Sequence, residues 1–372
     1  MAFQKQAHLP VLDGVRGLAI LLVVLFHSTF IPRIDFLDKI WHVFAFTGWV
    51  GVDLFFVLSG FLITRILVSE KGSESYFLNF YARRFLRIVP LYYLFLFGIF
   101  YVLREPVQFG FTYWTFLSNI LVSRLGYFPS PSLDMAWSLA VEEQFYLVWP
   151  FIILLTNEKQ LGRICKILFL AALALRLLFF FTHTNLLTNY VLLPTRTDSL
   201  AAGAWLAVSY RTLPPKFCTK AFWYLTPFTM AIFAVDVSHS SPLMQTIGFS
   251  FNALLSVFLI GSLMKNETAV FFAFFQNSFL KTLGKYSYGM YLFHVPVTHW
   301  IFQKGKTFWS AAPETLGAGF PIQVLFHAAA LLGTLGVAFV SYQLYEKQFL
   351  KLKKYFESSP EVPDPSSLTA RS

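Results

Sequence analysis

Charge is what this chain has least of. Asp, Glu, Lys and Arg make up 13% of its 372 residues, about half the share of a soluble domain. With 56% hydrophobic residues and a mean hydropathy of +0.59, that scarcity excludes an ordinary soluble protein. Cysteine is nearly missing. Cys165 and Cys218 cannot build a disulfide scaffold and have no neighbours at zinc-ligand spacing, so free thiols and no metal are expected. There is no Gly-rich phosphate loop, no HExxH helix and no serine nucleophile elbow. The first apolar run lacks the small-residue cleavage site of a signal peptide. No internal repeat is evident, which argues against an inverted-repeat transporter. The net charge of +10 is spread between apolar runs instead of clustering on one face, so nucleic acid is not an expected partner.

What is present is a succession of apolar helical runs. They predict an all-α polytopic membrane helix bundle of about ten transmembrane helices. The spans fall near 17–33, 44–64, 88–103, 136–155, 165–182, 197–209, 222–237, 247–264, 288–303 and 322–345, with a possible interfacial helix over 111–122. With the N-terminus in the cytosol, the inner segments hold 21 of the 29 Lys and Arg residues, the outer segments seven, and Arg176 lies within a span. That bias places both termini in the cytosol, in a protein of the cell membrane. Residues 1–357 read as one membrane domain. Residues 358–372, SSPEVPDPSSLTARS, read as a disordered cytosolic tail.

The stretch from Leu12 to Ser28, LDGVRGLAILLVVLFHS, carries the sharpest functional signal. Arg16 stands at its mouth, and His27 lies eleven residues on, about 16 Å along a helix. In a hydrocarbon core of about 30 Å that is near mid-depth, where an ionisable side chain is costly and marks function. The alternative is a neutral His27 that hydrogen-bonds a neighbouring helix.

Other charges reach a similar level. Counting from the nearest inner basic residue puts Asp53, Arg176, Asp198 and His294 about 13–20 Å deep, and Glu142 and Glu143 enter from the outer side. Buried charges must pair or neutralise. They form either a structural ion-pair network, or a reaction chamber or proton path in which a carboxylate orients a histidine base.

Further patterns add detail. Arg83 and Arg87 are four apart and Arg84 and Arg87 three apart, so one helix face carries all three. Such a face can clamp phosphates or simply anchor the inner boundary. Ser138 and Glu142 share a face, as do Tyr288, Tyr291 and His294. The segment Gly51 to Gly60 combines Asp53 with small residues that permit close helix approach. Arg196 and Asp198 are two apart and point to different sides of their helix. The other six histidines receive no role.

Taken together, these residues resemble acyltransferase family 3, integral membrane proteins that O-acetylate polysaccharides, lipopolysaccharide, peptidoglycan and some small molecules. Six motifs occur in the family's order: LDGVRGLAILLVVLFH with Arg16 and His27; GVDLFFVLSGFLI from Gly51; Arg83, Arg84, Arg87, Ile88 and Pro90; WSLAVEEQFYLVWP from Trp137; Arg196, Asp198, Leu200 and Gly203; and GKYSYGMYLFH from Gly284 to His294. The resemblance implies an acyl group, acetyl first among candidates, passed from cytosolic acyl-coenzyme A to a hydroxyl at or beyond the outer side. The acceptor would be a carbohydrate, a lipid-linked molecule or a small molecule. It implies His27 as catalytic base, with Arg16, Glu142 and Glu143 beside it and either glutamate orienting or recharging the imidazole. Arg83, Arg84 and Arg87 would contact the coenzyme's phosphates. Asp53, Ser138, Arg176, Arg196, Asp198, Tyr288, Tyr291 and His294 would supply substrate contacts or the local charge network. Some members carry a fused extracytoplasmic esterase-like domain. This chain ends soon after its tenth expected span, so the expectation is that it either acts alone on a lipid-linked or small acceptor or works with a separate extracytoplasmic partner. The rival readings are a proton-coupled transporter or exporter using the same charges and a structural membrane scaffold.

Overall fold

The first helix, α1 (Pro10–His27), sets the frame. Pro10 stands in its first turn, where a missing N–H costs nothing. Around it a computed structural model describes residues 9–29, 35–105, 109–265, 269–316 and 319–356. The expected tail at 358–372 lies outside the described residues.

In chain order the elements after α1 are α2 (Phe36–Phe46), α3 (Val50–Glu70), α4 (Tyr76–Phe97), α5 (Phe111–Trp114), α6 (Ser118–Leu125), α7 (Ala136–Leu155) and α8 (Glu158–Phe181). There follow α9 (Leu186–Val191), α10 (Leu193–Ser209), α11 (Phe217–Val235), α12 (Phe249–Met264) and α13 (Ala269–Phe275). The chain then forms α14 (Ser278–Lys304), α15 (Lys306–Leu316), α16 (Gly319–Ser341) and α17 (Lys347–Lys351). No strand occurs among the described residues. Among the described residues seven helical segments, those of α1, α3, α4, α7, α8, α12 and α16, are long and apolar enough to cross a membrane.

Every expected span falls on a helix, but the boundaries move. The helix of Arg83 starts at Tyr76, twelve residues before the apolar run at Ile88. Arginine is a good helix former, so the helix runs on where hydropathy stops. The same effect starts α14 at Ser278 instead of 288. At the other extreme α1 ends at His27, where Ser28 turns the chain, six residues short of the expected end. The single interfacial helix expected over 111–122 is two short ones, α5 and α6. The apolar run from 44 hides a separate helix, α2, begun by a capping box between Asp35 and Asp38. Phe36, Leu37, Ile40, Val43 and Phe44 are exposed on α2, as on a helix lying in a membrane interface.

The bundle closes through small residues. Gly17 of α1 and Gly284 of α14 leave so little room that a Cβ on either would sit 1.9 Å from a carbonyl oxygen of the other helix, Leu280 O and Asp13 O respectively. Lipid offers no hydrophobic gain for bringing helices together, so close backbone packing has to do it. Gly60 of α3 and Gly203 of α10 meet their partners in the same way. Replacing Gly284 with alanine therefore should separate α1 from α14 and abolish the monodisperse folded species, as read by size-exclusion chromatography and thermal unfolding in detergent.

Candidate active site

The α1–α14 contact decides the site, because it brings two histidines from distant stretches together. The rings of His27 and His294 lie edge to face, 4.7 Å between centroids. His27 Nδ1 is 3.0 Å from Val23 O, and His294 Nδ1 is 2.7 Å from Tyr291 O. A carbonyl only accepts, so in each neutral ring Nδ1 carries the proton and Nε2 keeps its lone pair. His294 Nε2 is buried without a partner. The ring of His27 is thus oriented by the backbone of its own helix. The carboxylate expected in that role, Glu142 or Glu143, makes no hydrogen bond to His27 among the described residues.

Four other helices build a cavity of about 110 Å³ with the basic end of α1. Arg16 enters from α1, Arg84 and Arg87 from α4, Ser59 from α3, Ser138 and Glu142 from α7, and Tyr288 and Tyr291 from α14. Arg16 pairs with Asp13 at 3.0 Å. Arg84 packs against the ring of Tyr146, 5.9 Å from its centroid. Among the described residues neither Arg84 nor Arg87 has an ion-pair partner, so the cavity has a cationic mouth open to an anion. Further in, Ser59 donates to Glu142 at 2.5 Å. Ser138 Oγ and the Tyr291 hydroxyl share a hydrogen bond of 2.5 Å. The Tyr291 ring is 5.6 Å from that of His294. A continuous path of side chains therefore runs from Arg84 and Arg87 through Ser138 and Tyr291 to His294 and His27.

Arg83 is turned out of this cavity. It sits nearest the start of its helix, where the C-terminal turn of α3 supplies Glu70 at 2.5 Å and the stretch after α17 supplies the Phe356 carbonyl at 2.7 Å. Of the three arginines expected on one phosphate face, Arg84 and Arg87 line the cavity, while Arg83 ties three segments together. Glu143, next to Glu142, leaves one carboxylate oxygen buried without a hydrogen bond.

The remaining mid-depth charges form two separate clusters. Arg176 of α8 pairs with Asp198 of α10 at 2.8 Å. Ser250 bridges them, accepting from Arg176 at 2.6 Å and donating to Asp198 at 2.9 Å. The carbonyls of Thr246 and Thr195 take further guanidinium protons. Arg196 pairs with Asp53 of α3, which Asn252 also contacts at 3.3 Å, and its guanidinium lies 4.0 Å from the ring centre of Phe249. All four charged side chains are buried. These pairs cross-link α3, α8, α10 and α12 and do not line the cavity. Removing one partner leaves an uncompensated buried charge, a cost of about 3–5 kcal/mol. Asp198→Ala should accordingly lower the thermal unfolding temperature strongly, whereas Asp198→Asn, which keeps the hydrogen-bonding oxygen, should lower it less.

Three contributors were not singled out in the sequence. Ser59 is a lone hydroxyl in an apolar run. Tyr146 stands four residues after Glu142, a spacing that could have revealed it. His239 belongs to a segment between helices, yet its ring packs 4.5 Å from Tyr190 and 5.9 Å from Phe26. That places it beside the α1 end that carries His27, with Nδ1 buried and unpartnered among the described residues.

An all-helical bundle that buries paired charges, and leads from a cationic cavity wall to a histidine pair, defines a multi-pass membrane protein with an ionisable interior. The chain belongs to acyltransferase family 3 of the cell membrane: the family's acyltransferase domain matches residues 9–345. It is 30% identical over 323 residues to the peptidoglycan O-acetyltransferase OatA of Listeria monocytogenes, covering 79% of this chain and 50% of that protein. It is 29% identical over 329 residues to the putative peptidoglycan O-acetyltransferase YrhL of Bacillus subtilis, covering 79% and 49%. A putative O-acetyltransferase of Staphylococcus aureus is 26% identical over 328 residues, covering 80% and 52%. The chain spans about half the length of the curated relatives it matches. No solved structure matches it.

Proposed function

We propose that this protein is a membrane O-acyltransferase. It takes an acyl group, acetyl in the first instance, from acyl-coenzyme A and delivers it to a hydroxyl of a carbohydrate or lipid-linked acceptor. The observation that carries this reading is the path of side chains from Arg84 and Arg87, which have no ion-pair partner among the described residues, to His294 and His27. The Lys and Arg bias puts the arginine end on the cytosolic side, where acyl-coenzyme A is made. The names of the relatives favour a peptidoglycan-type carbohydrate as acceptor on the other side.

In this scheme the donor's phosphates lie against Arg84 and Arg87, and its uncharged arm fills the narrow cavity. The thioester reaches the Ser138–Tyr291 pair, where the Tyr291 hydroxyl can turn from Ser138 to donate to its carbonyl oxygen as charge develops there, the Ser138 proton being held by the Met135 carbonyl. His27 Nε2 takes the proton of the acceptor hydroxyl while that oxygen attacks the carbonyl carbon. The C–O bond forms, the C–S bond breaks, and the proton passes to the departing thiolate. Glu142, held by Ser59, balances the cations of Arg16 and Arg84 on the donor side. Asp53, Arg176, Arg196 and Asp198 keep the helices in register.

The test is binding and turnover of labelled acetyl-coenzyme A by the purified full chain in nanodiscs. Micromolar binding with release of free coenzyme A, faster when a carbohydrate acceptor is present, supports the reading. Proton flux across a vesicle without any acyl transfer would overturn it in favour of a proton-coupled exporter.

A further inference from the structure

A second and wider cavity adjoins the first at the same end of the bundle. Its volume is about 620 Å³, against about 110 Å³ for the inner one. The two share Arg16 and Arg87, which stand at their common boundary. The wall of the wide cavity adds Lys281 and Lys285 of α14, with Ser278 and Thr282 beside them. Lys281 and Lys285 are four residues apart and share a face. The Lys285 ammonium is fixed against that wall, 5.2 Å from the ring centre of Tyr286 and 5.5 Å from that of Tyr342. Four cations therefore line the cavity with one carboxylate, Asp13, which already accepts from Arg16.

Ordinary anchoring at the membrane boundary accounts for basic residues on an outer rim. It does not account for two lysines facing the same hollow as two arginines, where like charges repel. A polyanion bound in the hollow would remove that cost. Its shape is constrained as well. A narrow cavity beside a wide one, with two arginines at their boundary, suits a molecule with a slender arm and a bulky, multiply charged head. Arg87, at the junction, can hold phosphate where arm meets head, which leaves Lys281 and Lys285 for a phosphate farther out.

We propose that the wide cavity seats the nucleotide end of the donor and that Lys281 and Lys285 hold its 3′-phosphate. This inference rests on the acyl-coenzyme A reading and sharpens it. The site selects coenzyme A over thioester donors whose nucleotide lacks that phosphate, or that have no nucleotide.

The experiment measures the affinity of the full chain in nanodiscs for coenzyme A and for 3′-dephospho-coenzyme A. Wild type should prefer coenzyme A at least tenfold, on the order expected for a lost charge-assisted contact. In Lys281→Gln/Lys285→Gln the preference should fall below about twofold, through weaker binding of coenzyme A alone. Lys281→Arg/Lys285→Arg should restore it. Equal affinities in wild type, or a preference that survives the double glutamine variant, would overturn the assignment. So would a variant that loses only thermal stabilisation by phosphatidylglycerol, since the lysines would then serve a lipid headgroup. Failure of wild type to bind either coenzyme is a different result and overturns the donor reading itself.

Discussion

His27→Ala yields a folded protein that binds acetyl-coenzyme A and does not turn it over. The expected loss is roughly 100- to 10,000-fold in release of free coenzyme A, the range for a missing general base. Stability should change little. His27 contributes one hydrogen bond to the Val23 carbonyl and ring contacts with Phe26 and His294, together about 1–2 kcal/mol. The donor site, at the other end of α1, stays intact. This split between binding and turnover separates a base from packing glue. His27→Gln sharpens it, because glutamine can still hydrogen-bond but cannot take a proton near neutral pH. If the glutamine variant keeps wild-type turnover, the base assignment is wrong and the histidine serves packing.

Arg84→Ala/Arg87→Ala weakens coenzyme A binding about 100-fold, while Arg83→Ala leaves it within about twofold. The first figure follows from two charge-assisted hydrogen bonds at about 1.5–3 kcal/mol each, of which the weaker limit already gives two orders of magnitude. The second follows from where Arg83 is held. It donates to Glu70 and to the Phe356 carbonyl, away from the cavity, so its loss should show as a lower unfolding temperature. Raising ionic strength should also weaken wild-type binding and affect the double variant less, since fewer charges meet the phosphates. Titration of the three proteins with coenzyme A at two salt concentrations gives both answers. Equal loss of affinity in the two variants would mean that the arginines act as a diffuse positive surface instead of a built site.

These predictions depend unequally on sequence and on structure. The membrane class was legible at once, because few charges and long apolar runs leave no other solvent for the chain. So were the helices, since lipid forces the backbone to satisfy its own hydrogen bonds. Family membership was legible in six motifs kept in order. Helix ends were legible only where a proline or a cap marks them. At Tyr76 and Ser278 the helix outruns its hydropathy, and position in the membrane cannot be read from the apolar run alone.

The sequence by itself determined what lies on one helix: Arg16 and His27 about three turns apart, Ser138 and Glu142 on one face, Arg84 and Arg87 one turn apart. It also determined depth, because each residue advances a helix by about 1.5 Å. Depth is one coordinate of three. Arg176, Asp53, Asp198, Glu142 and His27 all count to a similar level. Only the tertiary structure separates them into two buried ion-pair clusters, a cavity wall and a histidine pair. The lateral neighbours of a helix follow from how its backbone packs, here from Gly17 against α14 and Gly60 against α10. Those contacts join residues hundreds of positions apart, and no local spacing encodes them. For the same reason His239, in a segment between helices, reaches the neighbourhood of His27 without any sign of it in the chain.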